Sequence, residues 1–257
     1  MSGHEHDAQR DLVRESFSRQ TALFSGPNSP FVAREASALA WVEPVGDEMI
    51  VLDVACGAAH VAEQIAPRVR QVVGIDLTAE LLAIGAARLH DAGIRNVLLQ
   101  EGDAFALPFV DASFDVVACR ASLHHFASAE PALAEMARVC RPGGHVAISD
   151  LAAPPEEVRD GYDAFHRLLD PSHVGALAEV ELAELMERTV GPITYGQTTS
   201  STVPLDLIFS EVSDRAAVNA AIEAELAGGQ PTGVAPVEDD GRILLTFTTT
   251  VLQAQPA

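Results

Sequence analysis

Three aspartates, each placed at or just beyond the end of a short run of branched apolar residues, carry the first chemical signal in the chain. Asp53 closes MIVLD and opens onto the small residues Cys56, Gly57, Ala58 and Ala59; Asp76 closes QVVGID; Asp103 follows VLLQEG. A turn built of such small residues lets a ligand approach bare backbone and lie near unpaired helix N–H groups. A carboxylate about 20 residues further on can accept both ribose hydroxyls of a nucleoside. The short acid Asp103 can then take the exocyclic amine of a purine while Ala104 donates its backbone N–H. A fourth stretch, CRASLHHF, brings Arg120, His124 and His125, and Asp150 ends GHVAISD. Imidazole titrates near neutrality, and a nearby carboxylate can orient it or share its task, so these are the parts of a proton acceptor.

The elements that must position these residues alternate. Strands are expected at 50–55, 71–76, 97–100, 114–119 and 144–151, with helices over 59–66, 78–93 and 131–140 between them, Thr78 being the N-cap of the second. Short links between strand and helix argue for a parallel sheet wound by helices, in which ligands bind at the carboxyl ends of the strands. Ahead of this core, a helix carrying Leu12, Val13, Phe17 and Phe24 ends at the break Ser25 to Pro30, and a second helix spans 31–42. The first of these either covers a pocket as a lid or packs as an ordinary helix. Beyond 152 come a helix with Phe165, Leu168 and Leu169, the break DPSHV, a helix over 178–190, a Thr/Ser-rich strand over 193–202, a helix over 205–227, a loop over 228–241 and a last strand over 242–253. The two late strands are expected together at one edge. One domain is expected, with a lid at 1–44, a cofactor-binding core at 45–152 and acceptor-side elements at 153–257.

Bulk composition narrows the partners. With 16 Lys+Arg against 37 Asp+Glu the formal charge is −21, which repels phosphate backbones and anionic lipid. A small molecule is therefore the expected partner, with no nucleic acid and no membrane, although the charge also serves solubility. In 257 residues, 48% of them hydrophobic, one large core can be buried. Cys56, Cys119 and Cys140 show neither CxxC nor Cys/His spacing, as in a reduced cytoplasmic protein with no metal site. From the polar start no signal peptide is expected, and no apolar run nears the roughly 18 residues of a membrane helix.

The segments LDVACG, GIDLTAELL, EGDAFALPF, SFDVVACRASLHHF and EMARVCRPGGHVAISD resemble the successive motifs of class I S-adenosylmethionine-dependent methyltransferases, of the branch similar to the ubiquinone and menaquinone biosynthesis enzymes. The resemblance covers about 45–152 and weakens through DPSHV to the end. It implies an α/β fold: a Rossmann-like, seven-stranded, mostly parallel sheet with one antiparallel edge strand, helices on both faces, an N-terminal helical lid and helical insertions after strands 5 and 6. It also implies S-adenosyl-L-methionine as cofactor. Asp53, Ala55, Gly57 and Ala59 then belong to the methionine end, Asp76 and Leu77 to the ribose, Gly102, Asp103 and Ala104 to the adenine, and Arg120 to the pocket edge. The chain departs from the family at Ala59, where a Gly is usual. A Cβ there costs little in the right-handed helical region, is unfavourable at positive φ, and would narrow the space beside the methionine group. A nicotinamide dinucleotide site fits less well, because GAAHVA lacks the later glycines of GxGxxG.

Methyl transfer needs an acceptor aligned with the donor and, for a hydroxyl, removal of its proton. The resemblance points to His124 or His125, with Asp150, as the base for a hydroxyl of a natural product or secondary metabolite; otherwise HHF only packs the helix that follows. His173, in DPSHV, either contacts the acceptor or lies in a group, Asp170 and Ser172, that caps the following helix. His166 is expected to be structural, and His60 to meet solvent or the cofactor carboxylate. Two alternatives stand: C- or N-methylation of an aromatic small molecule, and a protein that keeps the fold but catalyses cyclisation or decarboxylation, or only binds ligand. Sequence leaves the chain a monomer or a homodimer.

Overall fold

The apolar runs become neighbouring strands. In the computed structural model, which describes residues 3–25 and 36–256, they form β1 (Ile50–Val54), β2 (Gln71–Asp76), β3 (Val97–Glu101), β4 (Phe114–Arg120) and β5 (Cys140–Leu151), followed by β6 (Ile193–Pro204), β7 (Val237–Asp239) and β8 (Arg242–Ala254). Their order is β3-β2-β1-β4-β5-β8-β6. β1 to β5 pair in parallel, and β8 runs antiparallel to both β5 and β6. The two late strands thus lie together at one edge, as expected. Strand order reverses beside β1, between β2 and β4, which opens a crevice above the carboxyl ends of those strands.

The helices are α1 (Gly3–Arg19), α2 (Thr21–Ser25), α3 (His60–Ile65), α4 (Ala79–Asp91), α5 (Ala129–Val139), α6 (Glu156–Leu169), α7 (Glu179–Thr189) and α8 (Arg215–Leu226). Strand residues alternate between two faces. Leu52, Val73, Val117 and Ile148 pack on Leu133 and Met136 of α5 and Met186 of α7. Val51, Val72, Val116 and Ala147 pack on α3, on Leu89 of α4 and on Trp41. With helices on both faces the central strands read as unbroken apolar runs. A separate cluster joins Tyr162 and Phe165 of α6, Val218 and Ile222 of α8, and Leu245 of β8. Leu133 has no exposed surface, so Leu133→Ala is expected to destabilise the chain by about 2–5 kcal/mol in urea titration.

Three expectations on the elements change. Of the helix at 31–42, Ala36–Val42 is a 3-10 helix, and 31–35, like most of the break before it, lie outside the described residues. The helix at 205–227 is divided: after a 3-10 turn at Leu205–Leu207 the chain is irregular up to Asp214, whose carboxylate accepts the Ala217 N–H at 3.0 Å and caps α8. Ser213 Oγ accepts the Ser210 N–H at 3.0 Å and donates to Leu169 O at 2.8 Å, so side-chain bonding competes with the helix there. The loop at 228–241 ends in a hairpin, because Asp239 pairs with Arg242 and the residues between, Asp240 and Gly241, have φ of 46° and 74°. Asp-Gly with both φ positive is the two-residue turn that matches strand twist.

Candidate active site

Above the strand ends lies a cavity of about 490 Å³, lined from below by residues of the β1, β2, β3 and β4 ends and from above by α1 and α2. Asp53, Ala55, Gly57, Asp76, Leu77, Gly102, Asp103, Ala104, Arg120, His124, His125, Asp150 and His173 all line it. Ala59 does not. Its φ is 59°, and its methyl is fully buried in the core beneath the turn, so it leaves the cavity as wide as a glycine would. Ala55 and Gly57 are also left-handed, each with φ of 53°. A left-handed alanine costs roughly 1–2 kcal/mol, and this turn therefore stores strain beside the cavity. The floor of the turn is tight: a Cβ on Gly85 would lie 2.9 Å from Ala58 O and 3.0 Å from Ala59 Cβ. Gly85→Ala is expected to lower stability by about 1–3 kcal/mol and to weaken cofactor binding, as calorimetry would record.

Asp76 ties the turn to its strand, accepting the Gly57 N–H on Oδ2 at 2.8 Å and the Thr78 N–H on Oδ1 at 2.8 Å. Thr78 sits at the N-cap of α4 without a side-chain capping bond. Burial raises the Asp76 carboxyl above its ordinary value against the Thr78 and Gly57 donors. Asp53 accepts the Ala62 N–H at 3.2 Å, and burial lifts its pKa to about 7 against the pull of Arg120. Asp103 accepts the Phe105 N–H at 3.0 Å, and its other oxygen faces Arg10 Nε of α1 at 3.2 Å.

These groups suit S-adenosylmethionine, which carries a sulfonium and an ammonium, a ribose diol and an adenine amine. A buried carboxyl held near neutrality gains by meeting a cation. Carboxylate oxygens carry two lone pairs each, so Asp76 and Asp103 can still accept from ligand hydroxyl and amine. A Cβ on Gly57 would meet only Leu81, at 3.8 Å, so bare backbone faces open space there.

On the acceptor side, His124 Nδ1 is hydrogen-bonded to Asp150 Oδ1, while Asp150 Oδ2 accepts the N–H groups of Ser122 and Leu123 at 2.8 and 2.7 Å. Burial pushes the Asp150 carboxyl up, but His124 and these donors outweigh it and hold the group below its ordinary value. Ser172 Oγ donates to Asp170 Oδ1 at 2.7 Å and so accepts from His125 Nδ1, 3.0 Å away. His173 Nε2 bonds Asp163 Oδ1 at 2.8 Å. Asp163, unremarked in the sequence, is therefore part of the site.

Asp170 and Ser172 do not cap the next helix, which begins only at Glu179; instead Asp170 also accepts from Ser16 Oγ and Gln20 Nε2, both at 2.7 Å. Gln9 of α1 donates to the carbonyls of His125 and Ser172 at 3.0 and 2.7 Å. His166, expected to be structural, lines the cavity and stacks on His173 with centroids 4.9 Å apart. His60 lines the cavity but is buried from bulk solvent, and both ring nitrogens are bonded: Nε2 donates to Phe24 O at 3.0 Å and Nδ1 accepts from Arg88 at 2.6 Å, and burial with Arg88 lowers its pKa to about 4.

Residues 52–148 match the family model of the methyltransferase domain. The uncharacterized methyltransferase YcgJ of Bacillus subtilis strain 168 is 39% identical over 125 residues, 48% of this chain and 49% of that protein. Its crystal structure gives a TM-score of 0.75 over 86% of this chain and 99% of the other, at 24% identity. Demethylmenaquinone methyltransferase of Clavibacter sepedonicus is 35% identical over 168 residues, 65% of this chain and 66% of that protein. The 4+2 cyclase SpnF shares the fold, with a TM-score of 0.66 over 96% of this chain and 97% of that one at 16% identity. The chain thus spans about half to two thirds of the length of the curated relatives it matches. Motifs in family order on successive strand ends, around a cavity whose acids suit an adenosyl sulfonium, agree with these likenesses: residues 52–148 carry a methyltransferase domain of the class I, S-adenosylmethionine-dependent kind, with S-adenosyl-L-methionine as its cofactor.

Proposed function

We propose that the chain methylates a hydroxyl oxygen of a small molecule, a natural product or secondary metabolite, with His124 as the general base. The hydrogen bond between His124 and buried Asp150 is the observation that carries this reading. Because Asp150 accepts from Nδ1, the ring's Nε2 keeps its lone pair for the acceptor's proton. Nε2 has no partner among the described residues, and the ring lines the cavity. His125 stands beside it at a centroid distance of 4.2 Å.

When bound, S-adenosylmethionine supplies an electrophilic methyl group. Asp53, Ala55 and Gly57 hold its methionine end, Asp76 and Leu77 its ribose, and Gly102, Asp103 and Ala104 its adenine, with Arg120 at the edge. α1 acts as a lid, since it meets Asp103 through Arg10 and Asp170 through Ser16, with Gln20 just beyond its end bonding Asp170 as well; a closed lid excludes water from the reacting groups. The charge of −21 supports a small-molecule acceptor over nucleic acid or an anionic membrane. Among the described residues no helix is long and apolar enough to cross a membrane. Free Cys56, Cys119 and Cys140 suit a cytoplasmic setting.

The test is a panel of phenols, sugars and indoles incubated with cofactor and analysed by mass spectrometry. An O-methyl product with equimolar S-adenosylhomocysteine is expected. Methylation only at carbon or nitrogen, or a cyclised product without a methyl group, would overturn the hydroxyl reading.

A further inference from the structure

The acceptor side holds more acceptors than methylation of one hydroxyl requires. Three imidazoles there share one construction: an acid fixes one ring nitrogen and leaves the other without a partner among the described residues. Asp150 fixes Nδ1 of His124, Asp170 fixes Nδ1 of His125 through Ser172, and Asp163 fixes Nε2 of His173. All three rings line the cavity. Burial lowers the pKa of His125 and His173, so both rings are neutral and present lone pairs. His166 differs, because its remaining Nε2 is itself buried, with no hydrogen-bond partner among the described residues. Among the described residues no group of three such side chains is placed to hold a metal ion; the open nitrogens therefore serve separate points of a ligand.

His125 lies edge-on to Phe17 of α1, with centroids 5.0 Å apart, and so faces the lid. His173 stands beside both, its ring centroid 5.5 Å from that of His124 with a tilt of 36°, and 6.4 Å from that of His125. An O–H···N bond spans about 2.8 Å, so two hydroxyls on adjacent carbons reach both rings together. We propose that Nδ1 of His173 accepts a hydrogen bond from a second hydroxyl of the acceptor, adjacent to the one that is methylated, and that the acceptor class is a vicinal diol or catechol on an apolar body. The assignment of the first hydroxyl rests on the methylation reading above. An acceptor lacking the second hydroxyl leaves the His173 lone pair buried and unpaired, which weakens binding about tenfold to a hundredfold.

Calorimetry on the protein saturated with S-adenosylhomocysteine tests this without turnover, using 4-tert-butylcatechol against 4-tert-butylphenol and trans-cyclohexane-1,2-diol against cyclohexanol. Within at least one pair the diol is expected to bind tenfold or more tightly, and His173→Phe, which keeps the stack on His166, is expected to shrink that ratio to within about twofold. Should His173→Phe fail to fold, His173→Leu, which carries no acceptor, is expected to do the same. Equal binding within both pairs, no binding by either diol, or a ratio that survives in a folded variant overturns the proposal. A diol preference lost in the variant without any O-methyl product would sink the methylation reading and leave the His173 contact standing.

Discussion

His124→Ala lowers kcat for hydroxyl methylation by about 10² to 10⁴, the usual contribution of a positioned base, and leaves the affinity for S-adenosylhomocysteine within about twofold. Asp150→Asn gives a loss in the same direction, because an amide can donate to Nδ1 and turn the lone pair away from the acceptor. The Ser122 and Leu123 N–H groups, at 2.8 and 2.7 Å from Asp150 Oδ2, would still hold an amide oxygen, so the fold is expected to survive this change. Steady-state rates with saturating cofactor, together with calorimetric binding of the product, separate the two quantities. Full activity in folded His124→Ala removes the ring from the chemistry.

Cofactor affinity falls about tenfold between pH 8 and pH 6. Asp53, with its pKa lifted to about 7 by burial, is about nine-tenths ionised at the upper pH and about one-tenth at the lower, and only the ionised form attracts a cation. Binding at pH 6.5 therefore releases a proton, visible as a dependence of calorimetric heat on buffer ionisation. The unliganded chain shows the opposite trend. The folded-state value lies above the unfolded value of 3.8, so the folded state holds the extra proton between about pH 4 and pH 7. This group's contribution to stability is present below that window and lost as pH rises through it, at about 1.4 kcal/mol per pH unit. Denaturation across the window should show a slope in the parent that Asp53→Asn lacks. Equal slopes in the two proteins would remove Asp53 as the cause.

Most of the cofactor side was legible, because a parallel sheet forces every strand's carboxyl end to one rim. Asp53, Asp76 and Asp103 needed only the strand periodicity to be placed together. Asp150 was legible for the same reason, since β5 lies beside β4 and Arg120 pairs with Ser149. The partners that arrive from outside the sheet were not. Asp163 reaches His173 from α6, and Asp170 ties Ser16 of α1 and Gln20 just beyond it across 154 and 150 positions of chain; no local spacing encodes how helices dock. Arg10, opposite Asp103, was hidden in the same way. Ala59 was visible as a departure, but its effect depended on a backbone angle, and the left-handed turn sends its methyl into the core. The β7–β8 hairpin was announced by Asp240-Gly241, a signal masked by the glycines and prolines around it.

The outer strand has a consequence for handling. β6, ITYGQTTSSTVP, carries no charge along its twelve residues, is exposed along most of its length, and pairs on one side only among the described residues. Nothing in the strand itself discourages a second copy from docking along the open rim, where charges or an early proline usually do so. The deterrent is global: a charge of −21 keeps molecules apart at neutral pH. That protection vanishes near the isoelectric point of about 4.6, so storage in mild acid or concentrated salt is where the protein is expected to aggregate.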